Sequence, residues 1–230
     1  MICLGIDTAL GACSVALADE GGVRARRFEL MTTGHAEALA PMTEALMREA
    51  PLSFAVLNRI AVTTGPGTFT GQRIGLAFAR GLAVALRIPC VGLTTLEVIA
   101  AAARTESPGR PILVASDARR GEAYVQAFAA DGTALLPPAL VALEAAADVA
   151  RGCGAGLVLA GTAAAAIGGI LGTAAHDIAT ADQPDAAFVA LLGLIGPEPE
   201  GPPAPLYLRP PDAKLPGPLK APPARFRART

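Results

Sequence analysis

The sequence predicts an α/β fold built from two similar lobes, each with a mixed sheet flanked by helices. A buried apolar strand that ends in aspartate occurs twice, at 2–7 and at 111–117. Each half is predicted to contain three strands, a helix, a strand and a helix, in that order, and the aspartate-ended strand is the first of them. Each aspartate is followed four residues later by a glycine, Gly11 in the first half and Gly121 in the second. Repeated order and repeated spacing together indicate a duplicated fold.

The first half begins with apolar or alternating runs, separated by turns, that are typical of strands. The turn at 19–22, Asp-Glu-Gly-Gly, favours a hairpin between the second and third strands. A first helix is predicted because Leu39, Met42 and Leu46 recur at helical spacing. We expect strands at 2–7, 12–18, 23–30, 59–64 and 89–93, and helices at about 35–50, 71–87 and 94–104.

The second half repeats this order with shorter elements, so we expect a reduced second lobe. An Asp-Gly turn at 131–132 follows its second strand, and a Gly-Thr turn at 161–162 precedes a helix of small residues. Three antiparallel strands followed by helix–strand crossovers give a mixed sheet with helices on its faces. We expect strands at 111–117, 122–129, 133–136 and 156–160, and helices at 143–150, after residue 162 and at about 184–195.

These elements divide the 230 residues into a first lobe at 1–105, a reduced second lobe at 106–205 and a tail at 206–230. The tail is predicted to be disordered because prolines are frequent there, with eleven from Pro197 onward. It carries six Lys or Arg residues against one acid. A basic tail can contact RNA phosphates, although a solvated tail explains the same composition. We expect 206–208, Leu-Tyr-Leu, to be the last tethered piece.

Composition limits the class of protein. The chain is 52% hydrophobic, carries a net charge of −1 and has four widely spaced cysteines without a C-x-x-C pair. We therefore expect reduced, buried thiols, a cytoplasmic protein and no general affinity for nucleic acid or membranes. The uncharged stretch 152–175 is rich in Gly and Ala, and we expect it to form a strand and a short helix instead of a membrane span.

The stretch 65–73, Gly-Pro-Gly-Thr-Phe-Thr-Gly-Gln-Arg, is typical of a strand end, a tight turn and the start of a helix. Such a turn exposes backbone N–H groups that can hold an anion, and Thr68 or Thr70 is expected to cap the helix. The stretch lacks the lysine of a phosphate-binding P-loop and the glycine spacing of a dinucleotide fingerprint. A closely packed turn without any chemistry explains the same residues.

The helix that follows this turn has two adjacent stripes. One is apolar and the other consists of small residues, and helix-interior glycine costs about 1 kcal/mol relative to alanine. Close approach of another element is therefore expected at the small stripe, from this chain or from a partner. The apolar stripe is Ile74, Phe78, Leu82 and Leu86, and the small stripe is Gly71, Gly75, Ala79 and Ala83.

Few residues suggest catalysis. The two histidines, His35 and His176, lie far apart in the sequence, and no metal-binding cluster or nucleophile elbow is present. We therefore predict neither a protein-bound metal nor a catalytic residue. Asp7 and Asp117 follow equivalent strands, where they are expected either to hold Mg²⁺ and a nucleotide or to end the strands by accepting bonds from turn N–H groups.

Six parts of the sequence form a recognisable set of motifs: 6–9 (Ile-Asp-Thr-Ala), 13–17 (Cys-Ser-Val-Ala-Leu), 35–37 (His-Ala-Glu), 65–71 with 73–75, 117–122 and 205–209 (Pro-Leu-Tyr-Leu-Arg). Together they resemble the TsaB (YeaZ) family, which has the actin-like ASKHA fold, a ribonuclease H-like architecture. The resemblance covers about residues 1–209, and the pair formed by the Gly-Pro-Gly turn and the His-Ala-Glu helix is specific. Thr68 and Gln72 stand where this family more often has Ser and Leu.

The resemblance implies a non-catalytic subunit in the formation of N6-threonylcarbamoyladenosine at position 37 of tRNA. The partner would be TsaD, a paralogue that carries the metal-binding histidines and transfers the threonylcarbamoyl group. TsaE, an ATPase, would join the pair, so ATP would be used by the complex and not bound tightly by this chain. The tRNA would be reached through the complex, and a homodimer would form when the partner is absent.

The resemblance also implies site residues. The pairing surface would lie on the two helices at 35–50 and 71–87, and a vestigial nucleotide site would hold Asp7, Thr8 and Asp117. An ATP-dependent small-molecule kinase or ATPase remains the alternative, and a peptidase lacks both a metal site and a nucleophile with a base. The partner-binding residues would include His35, Glu37, Leu39, Met42, Gly71, Gly75, Phe78 and Ala79.

Overall fold

The computed structural model describes residues 1–172 and 176–209. Its first half forms a five-stranded sheet in the order β3-β2-β1-β4-β5. Strands β1 to β3 are antiparallel, whereas β4 and β5 run parallel to β1. The elements are β1 (Cys3–Asp7), β2 (Ala12–Asp19), β3 (Gly22–Leu30), α1 (His35–Glu49), β4 (Arg59–Gly65), α2 (Phe69–Leu86), β5 (Cys90–Thr94) and α3 (Thr95–Glu106).

The second half repeats this topology, with the strand order β8-β7-β6-β9-β10 and the same pattern of antiparallel and parallel neighbours. Most of its strands and helices are shorter than their counterparts, so the duplicated fold with a reduced second lobe is confirmed. The elements are β6 (Ile112–Arg119), β7 (Glu122–Phe128), β8 (Ala139–Ala142), α4 (Leu143–Gly152), β9 (Leu157–Ala160), α5 (Ala164–Leu171), β10 (His176–Ile178) and α6 (Ala186–Ile195).

One strand prediction for the second lobe is wrong, and one strand was missed. The strand expected at 133–136 lies at Ala139–Ala142 instead, and only Ala134 forms an isolated bridge, with Phe128. The Asp-Gly turn suggested a tight hairpin, but the connection is longer and leaves Leu135 exposed. Strand β10 was not predicted, because three residues that are half-buried or exposed produce no hydrophobic periodicity.

The last helix of each half packs mainly on the sheet of the other half. Helix α3 lies against β6, β7 and β9, whereas α6 lies against β1, β2 and β4. This exchange buries Leu96 and Ile99 of α3 with Ile112 of β6 in one apolar cluster. Gly5 is required in β1, because a Cβ there would overlap the carbonyl oxygen of Ala186 at the start of α6. The sheet of each lobe is therefore packed against a helix from the other lobe.

A buried arginine fixes the end of α6. The Arg59 guanidinium donates hydrogen bonds to the carbonyl oxygens of Gly193 (2.9 Å) and Gly196 (2.7 Å) and pairs with Glu198. The last carbonyl groups of a helix lack partners within the helix, and a cation near them is favourable. Arg59 lies at the start of β4, so this contact ties the second half of the chain to the first sheet.

The stretch 152–175 contains the end of α4, strand β9 and the eight-residue helix α5, and residues 173–175 lie outside the described part. No helix within 1–172 and 176–209 is both long enough and apolar enough to cross a membrane.

Candidate functional site

The Gly-Pro-Gly turn packs against the loop between β1 and β2. The backbone N–H of Thr68 donates to the carbonyl oxygen of Ala9 (2.8 Å), and a Cβ on Gly67 would overlap that same oxygen. The Thr8 hydroxyl donates to the carbonyl oxygen of Gly71 (2.7 Å). Thr68, one of the two threonines predicted as a cap, caps α2 by accepting from the Gly71 N–H (3.1 Å). The turn and the β1–β2 loop therefore form one closed, hydrogen-bonded unit.

Asp7 is fully buried beneath this unit. Its Oδ1 accepts hydrogen bonds from the Thr63 hydroxyl (2.6 Å) and the Ala9 N–H (3.1 Å), whereas Oδ2 has no partner within the described residues. Burial raises the pKa of the Asp7 carboxyl to about 7, although the Thr63 hydrogen bond opposes that shift. Asp7 therefore ends β1 as an internal turn acceptor, which is one of the two roles that the sequence allowed.

A cavity of about 670 Å³ lies between the two lobes. Asp117 lines it, and its Oδ1 accepts the N–H of Arg119 (2.8 Å). Asp7 and Thr8 do not line it, because both are fully buried in the first lobe. The three residues of the predicted nucleotide site are thus divided between the cavity and the core. Among residues 1–172 and 176–209, no three His, Cys, Asp or Glu side chains form a group suited to a metal ion.

The last described segment, residues 203–209, contacts the first lobe at the mouth of this cavity. The Leu206 N–H donates to the carbonyl oxygen of Thr64 (2.8 Å) at the end of β4. The Tyr207 ring stacks on Phe69 with the ring centroids 5.6 Å apart, and its hydroxyl accepts from Arg73 Nε (2.8 Å). The piece predicted to be the last tethered one therefore binds the start of α2.

The same segment also reaches the second lobe. Arg209 donates to the carbonyl oxygen of Ala118 (2.8 Å) and pairs with Glu122 at the β6–β7 turn. Leu208 packs against the apolar cluster beneath α3. The segment therefore bridges the lobes and lines the cavity with its last four described residues. The rest of the predicted tail, 210–230, lies outside the described residues.

The family resemblance did not single out two side chains that shape the cavity. Phe69 is exposed at the mouth, and no periodicity marks it, because it lies in the first turn of α2. Gln72 was noted only as a polar departure from the family pattern. Its side chain lines the cavity while remaining almost fully buried, and its Oε1 has no hydrogen-bond partner within the described residues.

The eight residues predicted to bind a partner do not form one exposed surface. Glu37 is exposed and Phe78 is half-buried. The other six are unavailable at the surface of the isolated chain, because α1 and α2 turn these sides toward their own sheet. The six buried residues are His35, Leu39, Met42, Gly71, Gly75 and Ala79.

The small stripe of α2 packs within this chain and not against a partner. A Cβ on Gly71 would overlap the carbonyl oxygen of Thr8, and a Cβ on Gly75 would lie 2.7 Å from the Thr8 hydroxyl. Ala79 is fully buried in the core of the first lobe. The glycines therefore allow α2 to lie directly on the β1–β2 loop, and a large residue at Gly75 would disturb the fold itself.

Two alanine substitutions in α2 test this assignment. Gly71→Ala is expected to lower the free energy of unfolding by about 1–3 kcal/mol, because the new methyl group overlaps buried backbone. Gly81→Ala is the matched control, since a Cβ there meets nothing within 4 Å, and it should stabilise the chain by up to about 1 kcal/mol. Urea unfolding of both variants measures the difference, and equal stabilities would contradict the assignment.

The exposed apolar side of α2 lies elsewhere. Ile74, Phe78 and Leu82 are half-buried at the margin of the core, where Ala38 of α1 joins them. Residues between them at helical spacing are small and exposed, and the whole strip carries no charge. We name this strip the α2 apolar face, and it consists of Ile74, Ala77, Phe78, Gly81, Leu82 and Ala85.

Comparisons with known proteins agree with these motifs and this fold. Residues 17–180 match the family model described as TsaD, tRNA N6-adenosine threonylcarbamoyltransferase. The YeaZ structure from Pseudomonas aeruginosa superposes with a TM-score of 0.78 and 29% identity over 90% of this chain and 99% of that one. The chain belongs to the TsaB (YeaZ) family. Its resemblance to that family, stated from the motifs, is therefore confirmed.

Relatives of known sequence extend the comparison. This TsaB-family chain is 41% identical over 121 residues to the tRNA threonylcarbamoyladenosine biosynthesis protein TsaB of Escherichia coli, which is 53% of this chain and 52% of the relative. It is 34% identical over 224 residues to an uncharacterized protein of Mycobacterium tuberculosis, which is 92% of this chain and 93% of that protein. The chain spans about half the length of the E. coli TsaB that it matches.

Proposed function

We propose that this TsaB-family chain is a non-catalytic subunit that binds a TsaD paralogue and supports N6-threonylcarbamoylation of adenosine 37 in tRNA. Its relatives named TsaB are tRNA threonylcarbamoyladenosine biosynthesis proteins. The observation that carries the proposal is the combination of this family membership with a buried Asp7 and an uncharged, exposed strip on α2. The buried Asp7 supports the non-catalytic role, and the exposed strip supports the binding of a partner.

The closed loop supports the non-catalytic role. Asp7 and Thr8 are fully buried and use their side chains in hydrogen bonds within the chain, and the start of α2 packs directly on Thr8. A carboxyl whose pKa lies near 7 is also a weaker ligand for Mg²⁺ than an ionised one. The histidines that TsaD uses for its metal have no equivalent cluster among the described residues. Catalysis is therefore assigned to the partner.

The α2 apolar face supports the pairing role. Contiguous exposed apolar surface is typical of a protein–protein interface, and small residues such as Ala77 and Gly81 let a second helix approach closely. Glu37 on the neighbouring helix α1 is exposed and can supply a polar contact at the rim. TsaE joins the resulting pair, ATP acts in the complex, and the chain self-associates through the same face when no partner is present.

One observation favours a second candidate, an ATP-dependent small-molecule kinase or ATPase. The cavity between the lobes lies where such proteins bind ligands, and Asp117 lines it. This reading predicts ATP turnover by the chain alone that Asp117→Asn abolishes. It also needs Asp7 to reach the nucleotide, which the packing of α2 on the β1–β2 loop prevents in this conformation.

Reconstitution tests the proposed function. The chain, its cognate TsaD and TsaE are mixed with ATP, a threonylcarbamoyl donor and an unmodified tRNA that decodes ANN codons. We expect modified adenosine only when all three proteins are present, and no modification by this chain alone. Equal modification without this chain would contradict the proposal, and ATP turnover by the chain alone would favour the kinase.

A further inference from the structure

A row of arginines runs along α2 beside the α2 apolar face. Arg73 and Arg80 are spaced by seven residues, so they differ by only about 20° around the helix and lie roughly 10 Å apart along it, and Arg87 follows seven residues later as the C-cap. All three are exposed. Arg73 contacts Phe69 and Tyr207, which line the cavity, and Arg87 is the C-cap of α2. We name this row the α2 arginine ridge.

The positive charge of the ridge is not compensated within the described residues. Helix α2 contains no Asp or Glu. At least nine other arginines in 1–172 and 176–209 lie within 4.0 Å of a carboxylate. Arg80 and Arg87 have no such partner there, and Arg73 contacts only the aromatic residues Phe69 and Tyr207. The nine other arginines thus form ion pairs within the chain, whereas Arg73, Arg80 and Arg87 can bind an anion from outside it.

The sequence that follows the last described residue, Arg209, is also basic. Tyr207 binds Arg73 at the start of the ridge, and the sequence after Arg209 carries five Lys or Arg residues against one acid. The sequence after Arg209 therefore has the same sign of charge as the ridge. Because the whole chain has a net charge of only −1, this positive charge is a local feature and not a general property of the chain.

We propose that the α2 arginine ridge contacts the sugar–phosphate backbone of RNA. The inference rests on the proposed function, which brings tRNA to the complex. Guanidinium groups bind phosphate oxygens in a bidentate way, and a line of them without interleaved acids suits a repeating polyanion. The centre of the α2 apolar face lies about 120° around the helix from Arg73 and Arg80, so the protein partner and the RNA would bind neighbouring parts of α2.

Salt-dependent tRNA binding tests the ridge. The dissociation constant of the complex with TsaD for unmodified tRNA is measured at several salt concentrations, for the wild type and for the double variant Arg80→Gln/Arg87→Gln. The matched control is Arg24→Gln/Arg151→Gln, which removes two exposed arginines that have acidic partners. We expect the ridge variant to bind about tenfold more weakly with a salt slope smaller by about two, and the control to match the wild type.

Assembly of the complex is followed by size-exclusion chromatography in the same samples. The ridge variant is expected to co-elute with TsaD as the wild type does. Unchanged affinity and salt slope would overturn the proposal, and so would loss of co-elution, because the ridge would then be a protein contact. If the wild-type chain fails to bind TsaD, the proposed function fails by itself, and the same variants are compared for tRNA binding by the isolated chain.

Discussion

Gly81→Glu is expected to abolish binding to TsaD while the monomer stays folded. A Cβ at this position meets nothing within 4 Å, and replacing a helical glycine favours the helix. In the complex, however, the new carboxylate would be buried without a partner in the middle of the α2 apolar face. Such burial costs several kcal/mol, so we expect affinity to fall by at least about 100-fold. Calorimetric titration with TsaD and thermal unfolding measure the two effects.

Gly169→Glu is the matched control for this prediction. It places the same charge at an exposed helical glycine where a Cβ also meets nothing within 4 Å, but on α5 of the second lobe. We expect it to bind TsaD as the wild type does. Co-elution of the Gly81→Glu variant with TsaD at wild-type affinity would show that the partner binds elsewhere.

The free energy of unfolding of the wild type is expected to fall as the pH rises from about 4 to about 8. Asp7→Asn is expected to remove most of that fall. The folded pKa of Asp7 is raised to about 7, whereas an unfolded aspartate titrates near 4. The folded state therefore binds more protons than the unfolded state in this window, and stability decreases as the pH rises. The full effect is at most about 4 kcal/mol. Asparagine keeps the oxygen that accepts from Thr63 and cannot ionise.

Urea unfolding at pH 5, 6, 7 and 8 measures this effect as the difference between the variant and the wild type. Asp19→Asn is the control, because Asp19 is paired with Arg24 at the surface and its pKa is lowered, mainly by that hydrogen bond. The control should keep the fall in stability with rising pH. Parallel curves for Asp7→Asn and the wild type would show that Asp7 is ionised in the folded chain.

The sequence predicted the architecture well because the fold is repeated. Two aspartate-ended strands with equal spacing to glycine indicated the duplication, and the topology of the two sheets confirms it. Strand β8 was misplaced because a turn sequence does not determine the length of the connection that follows it. Strand β10 is held by pairing with β9 and not by its own pattern, so no property of its three residues reveals it.

The surface of α2 was harder to predict, for a physical reason. Hydrophobic periodicity shows that a helix has an apolar side, but two adjacent stripes leave open which one faces the sheet. The larger side chains of Ile74 and Phe78 lie at the margin, because the β1–β2 loop comes too close to α2 for anything larger than glycine at Gly71. Similarly, Asp7 is buried with a hydrogen bond from Thr63 on β4, a contact distant in sequence that strand spacing does not reveal.

Hydrogen–deuterium exchange of this chain with and without TsaD tests the central claim most directly, because it maps the contact on the unmodified proteins. We predict that TsaD slows exchange in peptides covering 36–45 of α1 and 74–85 of α2, and leaves the peptides that line the cavity, around Asp117 and Thr162, unchanged. Protection confined to the cavity, with unchanged exchange in α1 and α2, would contradict the account.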